Sequence, residues 1–369
     1  MKKSLLRYEE LVDYTRVLER YLVVMKNTEH KGKLVNYNLF LACNLMGIYQ
    51  DLKNGCYRHG KYHIFLIKDP KYRIIMSENL KDKIVNQMVS EYLLKPVLEL
   101  RLIDSNTATR KGMGGRHAFD LCKRYLVKLK RENREIYVLK FDIKKYFYHI
   151  DHDVLMDKLK RVFFDQRILS LLRNIIDSSN YSYVNQEIDL VIEKELKRTL
   201  SFEHYEELKR IPHYQYHKGL AIGNVTSQIL AIYYLNDLDH YIKEKLGCKY
   251  YICYMDDGII FDYEKERLKK IKGLVEEFLK KEGLTLNKKT NIYKVRNGFT
   301  FIGYRFFIKK GKLVIRITNK VKVRIKRKIK NLSIYDQEKL MRVKASYYGY
   351  LKRASTGFLQ FSFKIKGKN

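Results

Sequence analysis

The 369-residue sequence has no tryptophan, three prolines and five cysteines, and far fewer acidic than basic residues. With proline scarce and no Ser-rich run, there is no candidate linker, and the length suits two or three closely associated subdomains. Cys43, Cys56, Cys122, Cys248 and Cys253 form no CxxC pair and no His/Cys cluster. That argues against a zinc module or a disulfide framework, and for reduced, mostly buried thiols. No apolar run reaches membrane-spanning length, and the start, MKKSLLRYEELVDY, lacks the apolar core of a secretion signal. The expectation is a soluble, cytoplasmic protein with no membrane partner.

What is present is positive charge. Lys and Arg number 75 against 41 Asp and Glu, a net charge of +34 spread over the whole length. An excess so distributed suits an extended polyanion better than a local acidic partner. The 31 tyrosines interleave with these bases, as a groove that holds phosphates and stacks bases requires. A surface charged for solubility would show the same totals. Hydrophobic residues make up 46% of the chain, so it has a core to bury.

One stretch organises the rest. From Lys249 the chain reads KYYICYMDDGIIFD, two strand-like runs around Met255, Asp256, Asp257 and Gly258, which predicts a β-hairpin with a tight Asp/Gly-containing turn. Asp-Asp-Gly is ordinary turn composition. Yet adjacent carboxylates raise each other's pKa unless a cation sits there, and Mg²⁺ or Mn²⁺ takes oxygen ligands of this kind.

Upstream, residues 1 to about 55 show helical spacing, and strand-like alternation follows through Tyr62, Ile64 and Leu66, past Asp69-Pro70, to Ile74 and Ile75. Lys68, Lys71 and Arg73 cluster there, as lysines guarding an edge strand also would. A long amphipathic helix is predicted from Glu78 to Leu100. Then Gly112, Gly114 and Gly115 lie among Arg110, Lys111 and Arg116 just before a helix, where backbone N–H groups and the helix dipole can hold phosphates. IYVLKFDI, from Ile136 to Ile143, predicts a buried strand ending near Asp142, an acid that is costly there without a partner. Asp151 or Asp153 is expected to cap the next helix. Residues 160–215 read as polar and mixed, with helical fragments and without a motif. In KGLAIGNVTSQ, Gly219 and Gly223 predict close backbone approach to a ligand, and Thr226 or Ser227 a helix cap. A basic helix from Tyr263 to Glu282, the segment LTLNKKTNIYKV, a bent strand GFTFIGYRF, a second strand at Leu313 to Ile315 and a basic helical region from Thr318 follow.

A strand-end Asp142, a glycine loop before a helix at Gly223, YMDD, LxLN–KKT and FxFIGY occur in that order. From about Asn54 to about Thr356 this resembles the reverse transcriptases. The resemblance implies an α+β right-hand polymerase: fingers, a palm whose antiparallel sheet carries YMDD, and a helical thumb. The expected division is 1–55 N-terminal helical extension, 56–135 fingers, 136–317 palm with an insertion at about 160–215, and 318–369 thumb and basic tail. It implies Asp142, Asp256 and Asp257 as catalytic acids, and these with the Ile143 carbonyl as ligands of two Mg²⁺ ions, Mn²⁺ substituting. Arg110, Lys111, Phe147, Gly223, Gln228 and Lys289 would form the dNTP site, Phe147 as the steric gate against a ribose 2′-hydroxyl. Lys68, Arg73, Gly303 and Tyr304 would meet template and primer. Partners would be a structured RNA template, nascent cDNA, dNTPs, and a small accessory protein or further copies of the chain.

The loop wording IGNxTSQ is similar to that of enzymes from diversity-generating retroelements and bacterial antiphage defence systems. Ile222 stands where group II intron enzymes usually carry glutamine, which implies error-tolerant copying. No maturase or endonuclease segment is expected after the thumb. The alternative function is a catalytically idle RNA-binding scaffold on the same fold, although three clustered acids would repel a phosphate backbone.

Overall fold

The computed structural model describes residues 4–28, 32–68, 71–335 and 337–354; the Asp69-Pro70 step and the basic tail from 355 onward lie outside the described residues. The chain forms two units, one of residues 1–104, 143–241 and 276–286, the other of residues 105–142, 242–275 and 287–369.

The first unit is mainly helical. Helices Tyr8–Leu11, Tyr14–Asn27, Gly32–Leu39 and Leu41–Lys53 precede a hairpin of β1 (His63–Ile67) and β2 (Arg73–Ser77). Alternation gives this hairpin two faces. Ile64, Ile74 and Met76 are buried with Val184 and Ile188 of helix Tyr183–Leu196, while His63 and Phe65 point to the other face. The long helix after Glu78 starts at Leu80 with Asn79 as its cap. It widens into a π turn over Ser90–Leu94 immediately before Pro96, which has no N–H to donate.

The helical fragments expected within residues 160–215 are helices with a buried face. This segment holds helices Gln166–Asp177, Tyr183–Leu196 and Phe202–Lys209. In the first, Ile168, Leu169, Leu171, Leu172, Ile175 and Ile176 form a buried stripe at helical spacing, and Asp165 caps its start. The cap expectations divide. Asp151 caps helix His152–Lys160, accepting from the Asp153 and Val154 N–H groups. Thr226 and Ser227 cap nothing: helix Val225–Tyr234 starts after Asn224, and Thr226 instead hydrogen-bonds Asn86 in the core.

The second unit carries two sheets. The first has the order β4 (Tyr251–Tyr254), β5 (Asp257–Asp262), β3 (Tyr137–Asp142), β6 (Asn291–Lys294), with antiparallel neighbours. Helix Gly115–Leu129 packs on it through Ala118, Phe119, Cys122 and Leu126. The second sheet runs β7 (Phe299–Phe301), β8 (Tyr304–Lys309), β9 (Lys312–Ile317). GFTFIGYRF is therefore two strands turning at Ile302-Gly303, where the sequence suggested one bent strand. Helices Asn319–Tyr335 and Gln337–Leu351 follow. Cys122, Cys248 and Cys253 are buried as expected, but Cys43 and Cys56 are exposed. Among the described residues, no helix is long and apolar enough to cross a membrane.

Candidate catalytic acid site

Tyr254 pairs with Asp257, so the YMDD hairpin turns on two residues only, Met255 and Asp256. A two-residue turn needs positive φ at its first position, where glycine is usual. Here Met255 takes φ 57°, a strained backbone of the kind found at functional sites. Gly258 is not in the turn, contrary to the sequence expectation. It is a β5 residue opposite Phe141, whose ring fills the space where a Cβ would stand.

Asp142 ends β3 directly opposite Asp257, and Asp256 is the next residue back, so three acids gather at one end of the sheet. Burial, and next the charge of Asp142, push the Asp256 carboxyl up to about 7. Burial also raises Asp257, against the pull of Lys140, whose Nζ lies 3.6 Å from Oδ1. Asp142 is held by Asn287, which donates from Nδ2 to Oδ2 at 2.8 Å and from its backbone N–H to the Asp142 carbonyl at 2.7 Å. Ile143, the next residue, is buried and bridges Leu286.

Among the described residues, no group of three or more His, Cys, Asp or Glu side chains forms a metal cage as it stands. The donor chemistry of the pair nevertheless fits a hard divalent cation. Asp142 and Asp256 bring two carboxyl groups to one end of the sheet, and a cation there would offset the repulsion that raises Asp256.

The basic loop is built onto this hairpin. Residues Ser105–Thr107 run beside β4: the Cys253 N–H donates to the Ser105 carbonyl at 3.0 Å, and the Thr107 N–H and Oγ1 both donate to the Cys253 carbonyl. Gly114 N–H closes the loop back on the Thr107 carbonyl at 2.6 Å. Arg110, half-buried, donates to the Asn106 carbonyl, while Lys111 is exposed. Lys289 and Lys288 are both exposed, and the Lys289 N–H donates to Asn287 Oδ1 at 3.2 Å. Tyr304 is buried, its ring stacked on Tyr350 with centroids 4.4 Å apart, and Gly303 lies against Tyr350.

The remaining candidates belong to the first unit. Phe147 is half-buried, and its carbonyl accepts from the Leu220 N–H at 2.8 Å, joining the gate candidate to the glycine loop. The close approach predicted at the glycines is to protein. Gly219 packs on the Tyr214 ring, and Gly223, at φ 144°, lies against the Met76 carbonyl, where a Cβ would clash. Ile222 likewise accepts from the Met76 N–H at 2.8 Å. Gln228 is exposed on the following helix. Lys68 pairs with Glu195 at 2.6 Å, and Arg73 is exposed on β2.

Sequence reasoning missed Asn287, Lys140 and the tie of Thr107 to β4. Asn287 stands in the quoted LxLN motif, and Lys140 is a charge inside a buried strand, so both carried a signal.

Acids thus stand at the end of an antiparallel sheet, with a basic glycine-rich loop fixed beside them. Residues 67–306 match the reverse transcriptase (RNA-dependent DNA polymerase) family. The chain belongs to that family, a family of nucleotidyltransferases, and has its α+β right-hand polymerase fold. No curated protein sequence matches the chain significantly. Among solved structures, apo telomerase from Candida tropicalis is similar over 69% of this chain and 48% of its own, at 15% identity and TM-score 0.44. Telomerase from Candida albicans, in complex with a TWJ fragment of telomeric RNA, is similar over 80% of this chain and 55% of its own, at 15% identity and TM-score 0.45. The chain thus spans about half the length of these structures.

Proposed function

We propose that this protein is an RNA-directed DNA polymerase that copies a structured RNA into cDNA, in a diversity-generating retroelement or an antiphage defence system. The observation that carries the chemistry is the Asp142–Asp256 pair, two half-buried carboxyls at one sheet end whose repulsion a cation would relieve. Asp142 and Asp256, with Asp257 and the Ile143 carbonyl, would hold two Mg²⁺ ions, or Mn²⁺ in their place. Such ions, when bound, supply activation of a primer 3′-hydroxyl and stabilisation of the leaving pyrophosphate. Asn287 keeps the Asp142 carboxyl in one orientation, and Lys140 restrains Asp257. Arg110, Lys111 and Lys289 bind the triphosphate, Gly223 and Gln228 complete the nucleotide site, and Phe147 excludes a ribose 2′-hydroxyl. Lys68, Arg73 and the Gly303-Tyr304 backbone meet template and primer. The proposed division is fingers 56–135, palm 136–317 and thumb from 318, with the basic helix Asn319–Tyr335 following template phosphates. An accessory protein or self-association completes the RNA complex. Ile222 at the glycine loop supports error-tolerant copying.

The test is primer extension on an RNA template with dNTPs and Mg²⁺, comparing wild type with Asp256→Asn, and sequencing the products. Extension by wild type alone, with errors concentrated opposite template adenine, is expected. Extension by both proteins would refute the acid assignment. Faithful copying would refute the error-tolerant assignment.

A further inference from the structure

Away from the acid site, two arginines of the first unit converge on a small cavity. Helix Gln166–Asp177 carries Arg167, Ser170 and Asn174 at i, i+3 and i+7, a spacing that lines side chains up on one face. After helix Leu41–Lys53 the chain turns tightly, the Cys56 and Tyr57 N–H groups both donating to the Asp51 carbonyl at 2.8 and 3.1 Å. That turn sets Tyr57 and Arg58 against the helix face, where the His59 N–H donates to Asn174 Oδ1 at 3.0 Å. With the Tyr8 ring, these side chains line a cavity of about 70 Å³. None of the described residues lining it belongs to the acid site, the nucleotide site or the template contacts.

Size restricts the ligand. Pockets for organic molecules run to about 300–1,000 Å³. This one holds about five waters, room for a single phosphate group but not for a base or a sugar. The donors are within reach of solvent: Arg58 and Ser170 are exposed, and the Arg167 side chain is 50% exposed.

Each guanidinium is held in place without being used up. Arg167 lies over the Tyr8 ring, 4.8 Å from its centroid, and pairs with Glu9. Arg58 donates from Nη1 to the Tyr57 carbonyl at 3.1 Å. A guanidinium has five N–H donors, so both keep donors for a ligand. Asn174, its Oδ1 engaged, offers Nδ2, and Ser170 offers its hydroxyl. Of the neighbouring acids, Asp165 is spent on the Tyr8, Arg167 and Ile168 N–H groups. Glu9 competes for Arg167, but its side chain is 65% exposed, and surface ion pairs of that kind are weak. Two forked cations, an amide and a hydroxyl supply more donors than the two oxygens of a carboxylate use. They match the oxygens of a phosphate.

We propose that this cavity binds one phosphate group, gripped by Arg58 and Arg167, with Ser170 and Asn174 donating to its remaining oxygens. The net charge of +34 favours a nucleic-acid backbone as its source. The inference does not rest on polymerase chemistry.

The experiment is phenylglyoxal labelling of arginines on the full chain in EDTA, read by peptide mass spectrometry. Inorganic phosphate is titrated against sodium chloride of equal ionic strength, and a short oligouridylate is titrated separately. Phosphate is expected to slow labelling of Arg58 and Arg167 at least about fivefold, and to leave the exposed Arg198 unchanged. Glu9→Gln should lower the phosphate needed for half-protection about two- to fivefold, because Arg167 loses its competitor. Asp256→Asn should be protected like wild type, so this site and the polymerase reading fail separately. Half-protection by the oligouridylate at a lower phosphate concentration than inorganic phosphate assigns the site to a nucleic-acid backbone. Half-protection at the same or a higher concentration assigns it to free phosphate, and either supports the phosphate site. Inorganic phosphate protecting Arg58 and Arg167 no better than Arg198 overturns the proposal. So does a half-protection point that Glu9→Gln leaves unchanged or raises. The main readout uses the wild-type chain and Glu9 is exposed, so neither result hangs on a variant that fails to fold.

Discussion

Two acid clusters, one in each unit, are treated in opposite ways. In the first unit Lys158, almost fully buried, bonds the Tyr234 carbonyl, Asp237 and Glu282 at once. Nearby, the buried His152 bonds Asp177 at 2.8 Å and the Gly219 carbonyl at 2.7 Å, and Arg173 adds a second bond to Asp177. Burial alone would raise Asp177 and Asp237, but their basic partners outweigh it and hold both below the usual carboxylate range, while the more deeply buried Glu282 stays above its range even beside Lys158. At the YMDD hairpin the balance is reversed. Asp256 stands above its usual range through burial and the neighbouring acids, and Asp257 through burial that outweighs Lys140. Asp177 and Asp237 are each bonded by cations of the fold, whereas Asp142 and Asp256 face each other, an arrangement that suits chemistry.

The largest test of this contrast is Asp256→Asn. Activity should fall about a thousandfold or more in primer extension. Urea unfolding in EDTA should show the same variant more stable, by on the order of 1–3 kcal/mol, because a repelled charge is gone. A destabilised variant would break the comparison. Lys158→Ala should do the reverse: about 3–5 kcal/mol of stability lost, since two partly buried acids lose their partner. Its unfolding midpoint is the readout. Asn287→Ala sharpens the contrast within the hairpin. As a positioning residue it should reduce turnover about 10- to 100-fold and weaken Mg²⁺ dependence, with little change in stability. Normal activity would remove Asn287 from the site. The smallest effect is in pH. Asp177 and Asp237 have depressed folded pKa values, so their stabilisation is present above the unfolded value and is lost as pH falls through the folded one. Asp177→Asn with Asp237→Asn should flatten the acid side of the stability curve below about pH 4.

The acids were legible because a strand-end aspartate and an adjacent pair are local patterns. Gly258 was misplaced because turn composition cannot show that a Phe141 ring occupies the opposite strand. Asn287 went unnoticed because its role is a bond to a residue 145 positions away. The stripe in Gln166–Asp177 was readable from its spacing, but the charged flanking segments obscured it. The cavity between Arg58 and Arg167 draws on a turn and a later helix, so no contiguous pattern could announce it.

The base of the Arg110 loop has a further consequence. Its Ser, Thr, Gly and Lys content would suggest a segment that exchanges its amide protons with solvent within seconds. Instead the Thr107, Gly114 and Cys253 N–H groups each end on a backbone carbonyl, closing the loop into a clip on the acid-bearing strand. Those three amides should exchange as slowly as the sheet itself. The tip between them is then the part that can respond to a triphosphate, over a travel limited by its fixed ends.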